Sequence, residues 1–379
     1  MERYDGLLFD CDNHLYEAED AFTRHVPPRM RSRCVEWVTI GKRRYHLVGG
    51  KLSKAVGNPT FNPISKPGAL RPYYQGNPEK KTFAELIRSA LEPMPPEYMD
   101  RDARIARVEE QGLAGAWIFP TAGVLYEEAL SRDIQALTTT TRAFNRWLQE
   151  DWGLTYEDKL FCAPYITLAD VDWACEELEW ALEHDARILV MRPSPVRTAL
   201  GLRPATDPQF DPFWARVNEA GITVVAHVGS TPYGANGYGG SSTQESLGGG
   251  GKPSVSSMIP ERAIYDFLIT LAYDKLFERF PNLRICSVEN GSQVLGDLFR
   301  KLESSKVRMP NYYREDPSEL FRQHVRINPF WEDDIREIIG HMGAEQVIFG
   351  SDWPHMEGLE HPQEDVEPQP QGQGDGYPG

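Results

Sequence analysis

"YDGLLFDCDNH", residues 4–14, is the first apolar run of the chain, and it ends on Asp10, Asp12 and His14. Side chains two apart on a strand share a face, so a strand here aims three titratable groups the same way. Burying such a face carries a desolvation cost that a metal, a substrate or a full hydrogen-bond network offsets. Asp10 sits one pleat deeper and reads as a buried hydrogen-bonding residue, while Asp12 and His14 read as the functional pair.

Seven comparable runs follow: "AGAWIFP" from Ala114, "FCAPYIT" from Phe161, "RILVMRP" from Arg187, "TVVAHVG" from Thr223, "RICSVEN" from Arg284, "VRINPFW" from Val325 and "QVIFGSD" from Gln346. Helical periodicity lies between several of them. In "LADVDWACEELEWALEHD", Val171, Cys175, Leu178 and Leu182 recur at helical spacing behind Asp170 or Asp172 as cap. Eight strands alternating with helices predict an α/β fold of the closed (β/α)8 TIM-barrel type. An open doubly wound sheet would want a Gly-rich phosphate loop after its first strand, and "DCDNHLYE" at residues 10–17 is not one.

The chain has 379 residues, 40% of them hydrophobic, enough for one large domain, placed at residues 1–358. A Pro- and Gly-rich stretch from about 21 to 100 reads as an irregular insertion after the first strand, positioned to fold over the strand ends. The Gly- and Ser-rich stretch 229–257 reads as a mobile loop or lid, and it has no Lys-Ser/Thr in the spacing of a phosphate-binding loop. Residues 359–379 read as a polar, disordered tail in place of an eighth helix, so either another segment or subunit is expected to cover that position or the chain ends abnormally.

A net charge of -16 argues against nucleic-acid or anionic-membrane partners. No apolar stretch approaches the roughly 18–20 residues that span a bilayer. Five scattered cysteines without a CxxC pair suit a reducing compartment, so a cytoplasmic location is expected.

A barrel of this kind carries its site at the C-terminal strand ends. Those ends hold Asp12 and His14, Arg192, His227, Glu289 and Asn290, Asn328, and Asp352. Imidazoles mixed with carboxylates suit one divalent metal, zinc first, with manganese or iron(II) as alternatives. Singly, each has a plainer reading: His227 as a core histidine, Asp352 as a turn cap, Asp12 and His14 as a loop network. Together at the ends of strands 1, 5 and 8 they favour a metal.

"DCDNHLYE", "VVAHVGS", "SVENGS" and "FGSDWPHMEG" resemble the signatures of the amidohydrolase-related family that includes aminocarboxymuconate-semialdehyde decarboxylase and its carboxy-lyase relatives. The resemblance runs from Leu7 to Gly358 and takes in "FNPISKPGAL", "FNRWLQEDW" and "FERFPNLRICSVENG". It implies a (β/α)8 barrel, a single divalent metal on Asp12, His14, His227 and Asp352, and a homodimer. Glu289 stands where those decarboxylases usually carry a histidine. Strand 4 ends in "MRP" without a lysine, which favours a mononuclear site.

Two reactions follow from this reading. The first is non-oxidative decarboxylation of a small carboxylic acid. There the metal and Arg192 hold the substrate, Asp352 or Glu289 moves the proton beside His227, and Asn290, Asn328, Trp353 and His355 contact the substrate. The second is hydrolysis of an amide, ester or lactone by a metal-activated water, with Asp352 as general base. A non-catalytic ligand-binding barrel is the third reading. For Arg192, a structural salt bridge to one of the site acids Asp12, Asp352 or Glu289 competes with a carboxylate clamp.

Overall fold

The structure is a computed structural model that describes residues 6, 8–198, 200–232, 259 and 261–363. The runs read as strands form two parallel groups. In the first, β1 (Leu8–Leu15) pairs with β2 (Leu113–Pro120), and β2 with β3 (Leu160–Cys162). In the second, β4 (Ile188–Met191), β5 (Thr223–His227), β6 (Arg284–Val288) and β7 (Val325–Ile327) pair in that order. Isolated parallel bridges join Tyr165 to Val190, Ile327 to Val347, and Asn13 to Trp353. The eighth run is also held to β1 by backbone bonds from Cys11 to Phe349 (2.8 Å), from Asp352 to Asp12 (2.8 Å) and from His14 to Trp353 (2.7 Å).

The strands divide their side chains between two apolar clusters. Ile188 and Val190, Val225, and Cys286 and Val288 belong to a small inner cluster with Phe119, Ala163 and Tyr165. Their neighbours Leu189, Met191, Val224, Ala226 and Ile285 join the large cluster that the helices cover. This period-2 partition marks strands buried on both faces and explains their near-continuous apolar runs.

The helices follow their caps. Asp170, rather than Asp172, caps Val171–Glu183 by accepting from the Trp173 N–H at 3.0 Å. Asp211–Ala220 ends on Gly221, whose φ of 64° is the left-handed stop that a residue without Cβ adopts cheaply.

Three expectations change. The alternation of Asp10, Asp12 and His14 is broken, because Asp10 pairs with Ala116 while Asn13 pairs with Ile118. One extra residue in β1 makes a bulge that re-aims the side chains around it. The segment 21–100 is also less irregular than its Pro and Gly content suggests. Val35–Ile40, Arg43–Val48 and Lys51–Leu52 form an antiparallel sheet, and Thr82 with Glu85 closes a capping box on Phe83–Ser89. Finally, the tail begins packed: Leu359 is buried, and Gln363 donates to the Gly112 carbonyl at 3.1 Å. The tail beyond 363 and most of the 229–257 stretch lie outside the described residues.

Candidate metal centre

Below the bulge, Asp10 is fully buried and fully engaged. It accepts from the Ser351 N–H (2.9 Å) and Oγ (2.6 Å), the Asn13 amide (2.9 Å) and the Asp12 N–H (3.1 Å). Burial pushes its carboxyl up to about 6, against the pull of these donors. Arg104, also fully buried, donates to Asn13 Oδ1 (2.5 Å), the His14 carbonyl (2.8 Å) and the Glu97 carbonyl (2.6 Å), over the Trp353 ring. This network fixes the end of β1 against the eighth run. Gly350 is required there, because a Cβ at that position would meet Asp12 Cβ at 2.4 Å.

Above the bulge the polar atoms are left open. Asp12 Oδ1 lies 3.4 Å from His14 Nε2 and 3.5 Å from His227 Nε2. Glu289 Oε2, from the end of β6, lies 3.5 Å from His14 Nε2 and 3.3 Å from His227 Nε2. The ligand atoms of these four residues all lie within 4.8 Å of one another. Asp12 Oδ1, both His14 nitrogens and His227 Nε2 are buried without a hydrogen-bond partner. His227 Nδ1 donates to the Val228 carbonyl at 2.9 Å, which aims its Nε2 at Asp12 and Glu289. Imidazole nitrogens among carboxylate oxygens at these distances are the donor set of a divalent cation, and these residues fit one. Without a cation, burial works against a charged His14, but Asp12 and Glu289 overcome it and hold the imidazolium up at about 9.

Asp352 belongs to an adjoining group with His14, Glu289 and His355, rather than to the group of four. Its Oδ1 is 3.5 Å from His14 Nε2 and 2.6 Å from His355 Nδ1. Thr121 Oγ1 gives its only proton to the Leu15 carbonyl (2.7 Å), so it accepts from His355 Nε2 (2.9 Å). His355 Nδ1 and Asp352 therefore share one further proton, since a bare lone pair facing a carboxylate at 2.6 Å would repel it. Burial, together with Glu289, Glu357 and Asp12, raises the Asp352 carboxyl well above its usual range. Burial, with His14 and His227, lowers His355. Both Asp352 and Glu289 sit at φ 55°, a left-handed conformation rare for such residues and concentrated at functional sites.

The residues expected to bind substrate are mostly engaged elsewhere. Arg192 is buried on Glu127 (3.2 Å) and Glu128 (3.0 Å) and donates to the Ser230 carbonyl (2.8 Å), which leaves only Nη2 unpartnered. Arg192 does form a salt bridge, but to Glu127 and Glu128 at the start of the short helix Glu127–Leu130 rather than to Asp12, Asp352 or Glu289. Trp353 is buried against Tyr98, with ring centroids 5.0 Å apart, and beneath Arg104, so it does not face the cluster. The Asn290 amide donates to the Ala226 and Val288 carbonyls, and Asn328 Oδ1 accepts from the Glu289 N–H; both shape the strand ends. Only His355 reaches the cluster, its ring centroid 3.9 Å from that of His14.

Sequence reasoning missed Arg104, Thr121 and Glu17. Arg104 carried a signal, since it falls on the buried face of Arg101–Glu110 with Val108. Glu17 accepts from the Ala122 and Gly123 N–H groups through Oε1, while its buried Oε2 is unpartnered; burial pushes it up to about 7. Its position just past β1 gave no such signal.

The model of the amidohydrolase family matches residues 10–371. Among solved structures, an amidohydrolase from Mycobacterium avium subsp. paratuberculosis K-10 is 36% identical, with a TM-score of 0.88 over 96% of this chain and 94% of that one. The 2,6-dihydroxybenzoate decarboxylase from Rhizobium is 17% identical, with a TM-score of 0.55 over 71% of this chain and 82% of its own. The 5-carboxyvanillate decarboxylase of Novosphingobium aromaticivorans DSM 12444, complexed with manganese and 4-hydroxy-3-methoxy-5-nitrobenzoic acid, is 14% identical. Its TM-score is 0.55 over 96% of this chain and 90% of that one. Among curated proteins none matches.

Proposed function

The chain belongs to the amidohydrolase family, and from that premise we propose that it is a metal-dependent carboxy-lyase that decarboxylates a small organic acid without redox change. The ordered parallel pairings and the bridges from the eighth run back to β1 support a closed (β/α)8 barrel. In that barrel the polar cluster sits at the C-terminal strand ends. Asp12, His14 and His227 would hold the metal, with Asp352 at its edge. Manganese, seen in the carboxyvanillate decarboxylase, is the ion to try before zinc or iron(II). The bound metal supplies a Lewis acid for a substrate oxygen.

The observation that carries the reaction is the Asp352–His355 pair. Its 2.6 Å contact, with His355 Nε2 already committed to Thr121, requires a proton between the two side chains. The pair therefore rests as an acid beside the cluster. In decarboxylation the bond to the carboxyl carbon breaks, its electrons stay on the remaining carbon, and that carbon takes the proton as CO2 leaves. An acid at rest serves that order of events. All five cysteines are free and no helix among the described residues is long and apolar enough to cross a membrane. The free cysteines support the cytoplasmic reading.

One observation favours hydrolysis of an uncharged amide, ester or lactone as the second reading. Arg192 is already neutralised by Glu127 and Glu128, while the cluster is rich in carboxylates, a setting that disfavours an anionic substrate.

The test is to incubate the manganese-loaded protein with a panel of hydroxybenzoic and related acids, and in parallel with esters, lactones and amides. CO2 release that is lost in Asp352→Asn supports the carboxy-lyase. Turnover confined to the esters, lactones or amides replaces it with the hydrolase.

A further inference from the structure

We propose that Glu289 binds the metal directly, as a ligand from the end of β6. This inference rests on the metal reading of the site. Three potential ligand atoms meet there: His227 Nε2, aimed by the Nδ1 bond to the Val228 carbonyl, Asp12 Oδ1, and Glu289 Oε2. His227 and Asp12 have side chains only 1% and 2% exposed, and neither facing atom has another partner. Ligand atoms each about 2.0–2.2 Å from a first-row metal lie about 3.0–3.5 Å from one another. The Glu289 contacts, 3.3 Å to His227 and 3.5 Å to His14, fall inside that span.

The backbone holds Glu289 in this position. Its φ of 55° turns the chain, the Glu289 N–H donates to Asn328 Oδ1 at 3.4 Å, and the next residue pins the turn through Asn290 Nδ2 to the Ala226 (2.8 Å) and Val288 (2.7 Å) carbonyls. Asp352 differs in its commitments. It also reaches His14 Nε2 at 3.5 Å, but its Oδ1 is engaged by His355 Nδ1 at 2.6 Å.

The experiment is a titration of the full, metal-stripped chain with Mn²⁺, alongside the visible spectrum of the Co²⁺-loaded protein, for wild type, Glu289→Gln and Glu289→Asp. The expected result is a fall in Mn²⁺ affinity of about 100-fold or more in Glu289→Gln, with a changed Co²⁺ band. The metal-free Glu289→Gln protein should melt no lower than wild type, because a carboxylate crowded against Asp12 has been removed. Glu289→Asp keeps the charge and shortens the reach, so it should lose affinity by about tenfold; it decides the question if Glu289→Gln fails to fold. Wild-type affinity and spectrum in both variants would overturn the ligand role. A wild-type protein that binds neither ion would instead overturn the metal reading beneath it.

Discussion

The stretch Asp10–His14 serves two regions that handle polar atoms in opposite ways. Beneath the bulge, Asp10, Asn13, Arg104 and Ser351 form a closed network in which both Asp10 oxygens and all three Arg104 nitrogens are used. Above it, Asp12 Oδ1, both His14 nitrogens and His227 Nε2 are just as buried and have no partner. Paired burial contributes stability and a unique register; unpaired burial has a free-energy cost that only a bound group offsets. The closed network is therefore scaffold, and the open cluster is the place for chemistry.

That contrast predicts different losses in the two regions. The largest is catalytic: His227→Ala should abolish metal-dependent turnover, by more than about 1,000-fold, while the melting temperature of the metal-free protein stays within a few degrees. A protein that unfolds instead would move His227 into the scaffold. Arg104→Met should behave the other way. It strands the Asn13, His14 and Glu97 oxygens and should lower stability by about 3–5 kcal/mol in urea unfolding, and it breaks the comparison if stability is kept while turnover vanishes. Thr121→Val probes the seam. It frees the Nε2 of His355, and kcat should fall about tenfold with KM unchanged.

A further effect lies outside both regions, at His46 of the insertion sheet. Burial, with Arg44 nearby, lowers its imidazole to about 4 from an ordinary 6.5. The folded state thus binds this proton less tightly than the unfolded chain does. The neutral residue's stability is intact above pH 6.5 and is lost as pH falls toward 4, by at most about 3 kcal/mol. His46→Gln should flatten that window in pH-dependent unfolding, and an unchanged pH profile would assign the acid sensitivity to another group.

Much of this organisation can be read from residues alone. The β-branched runs around Ile188, Val224 and Ile285 announce strands buried on both faces, and the polar residues at their ends announce the cluster. The bulge is not legible, because it exists only in the register of β1 against β2. For the same reason the even spacing of Asp10, Asp12 and His14 misleads: one extra residue sends Asp10 toward Ser351 and leaves Asp12 and His14 together. Arg192 misleads differently, since its neutralising acids come from the short helix Glu127–Leu130 after β2, some 64 residues earlier in the chain. The insertion sheet leaves its mark in the β-branched and aromatic residues of "VEWVTIGKRRYHLV", residues 35–48, which the Pro and Gly content of the rest of the segment masks.

The central claim is that the open cluster above the bulge is built for a divalent cation. It is tested most directly by calorimetric titration of the metal-stripped protein with Mn²⁺, wild type against His227→Ala. Wild type should take up one equivalent saturably, and the variant should lose that uptake. Uptake that survives without His227, or none in wild type, would contradict it.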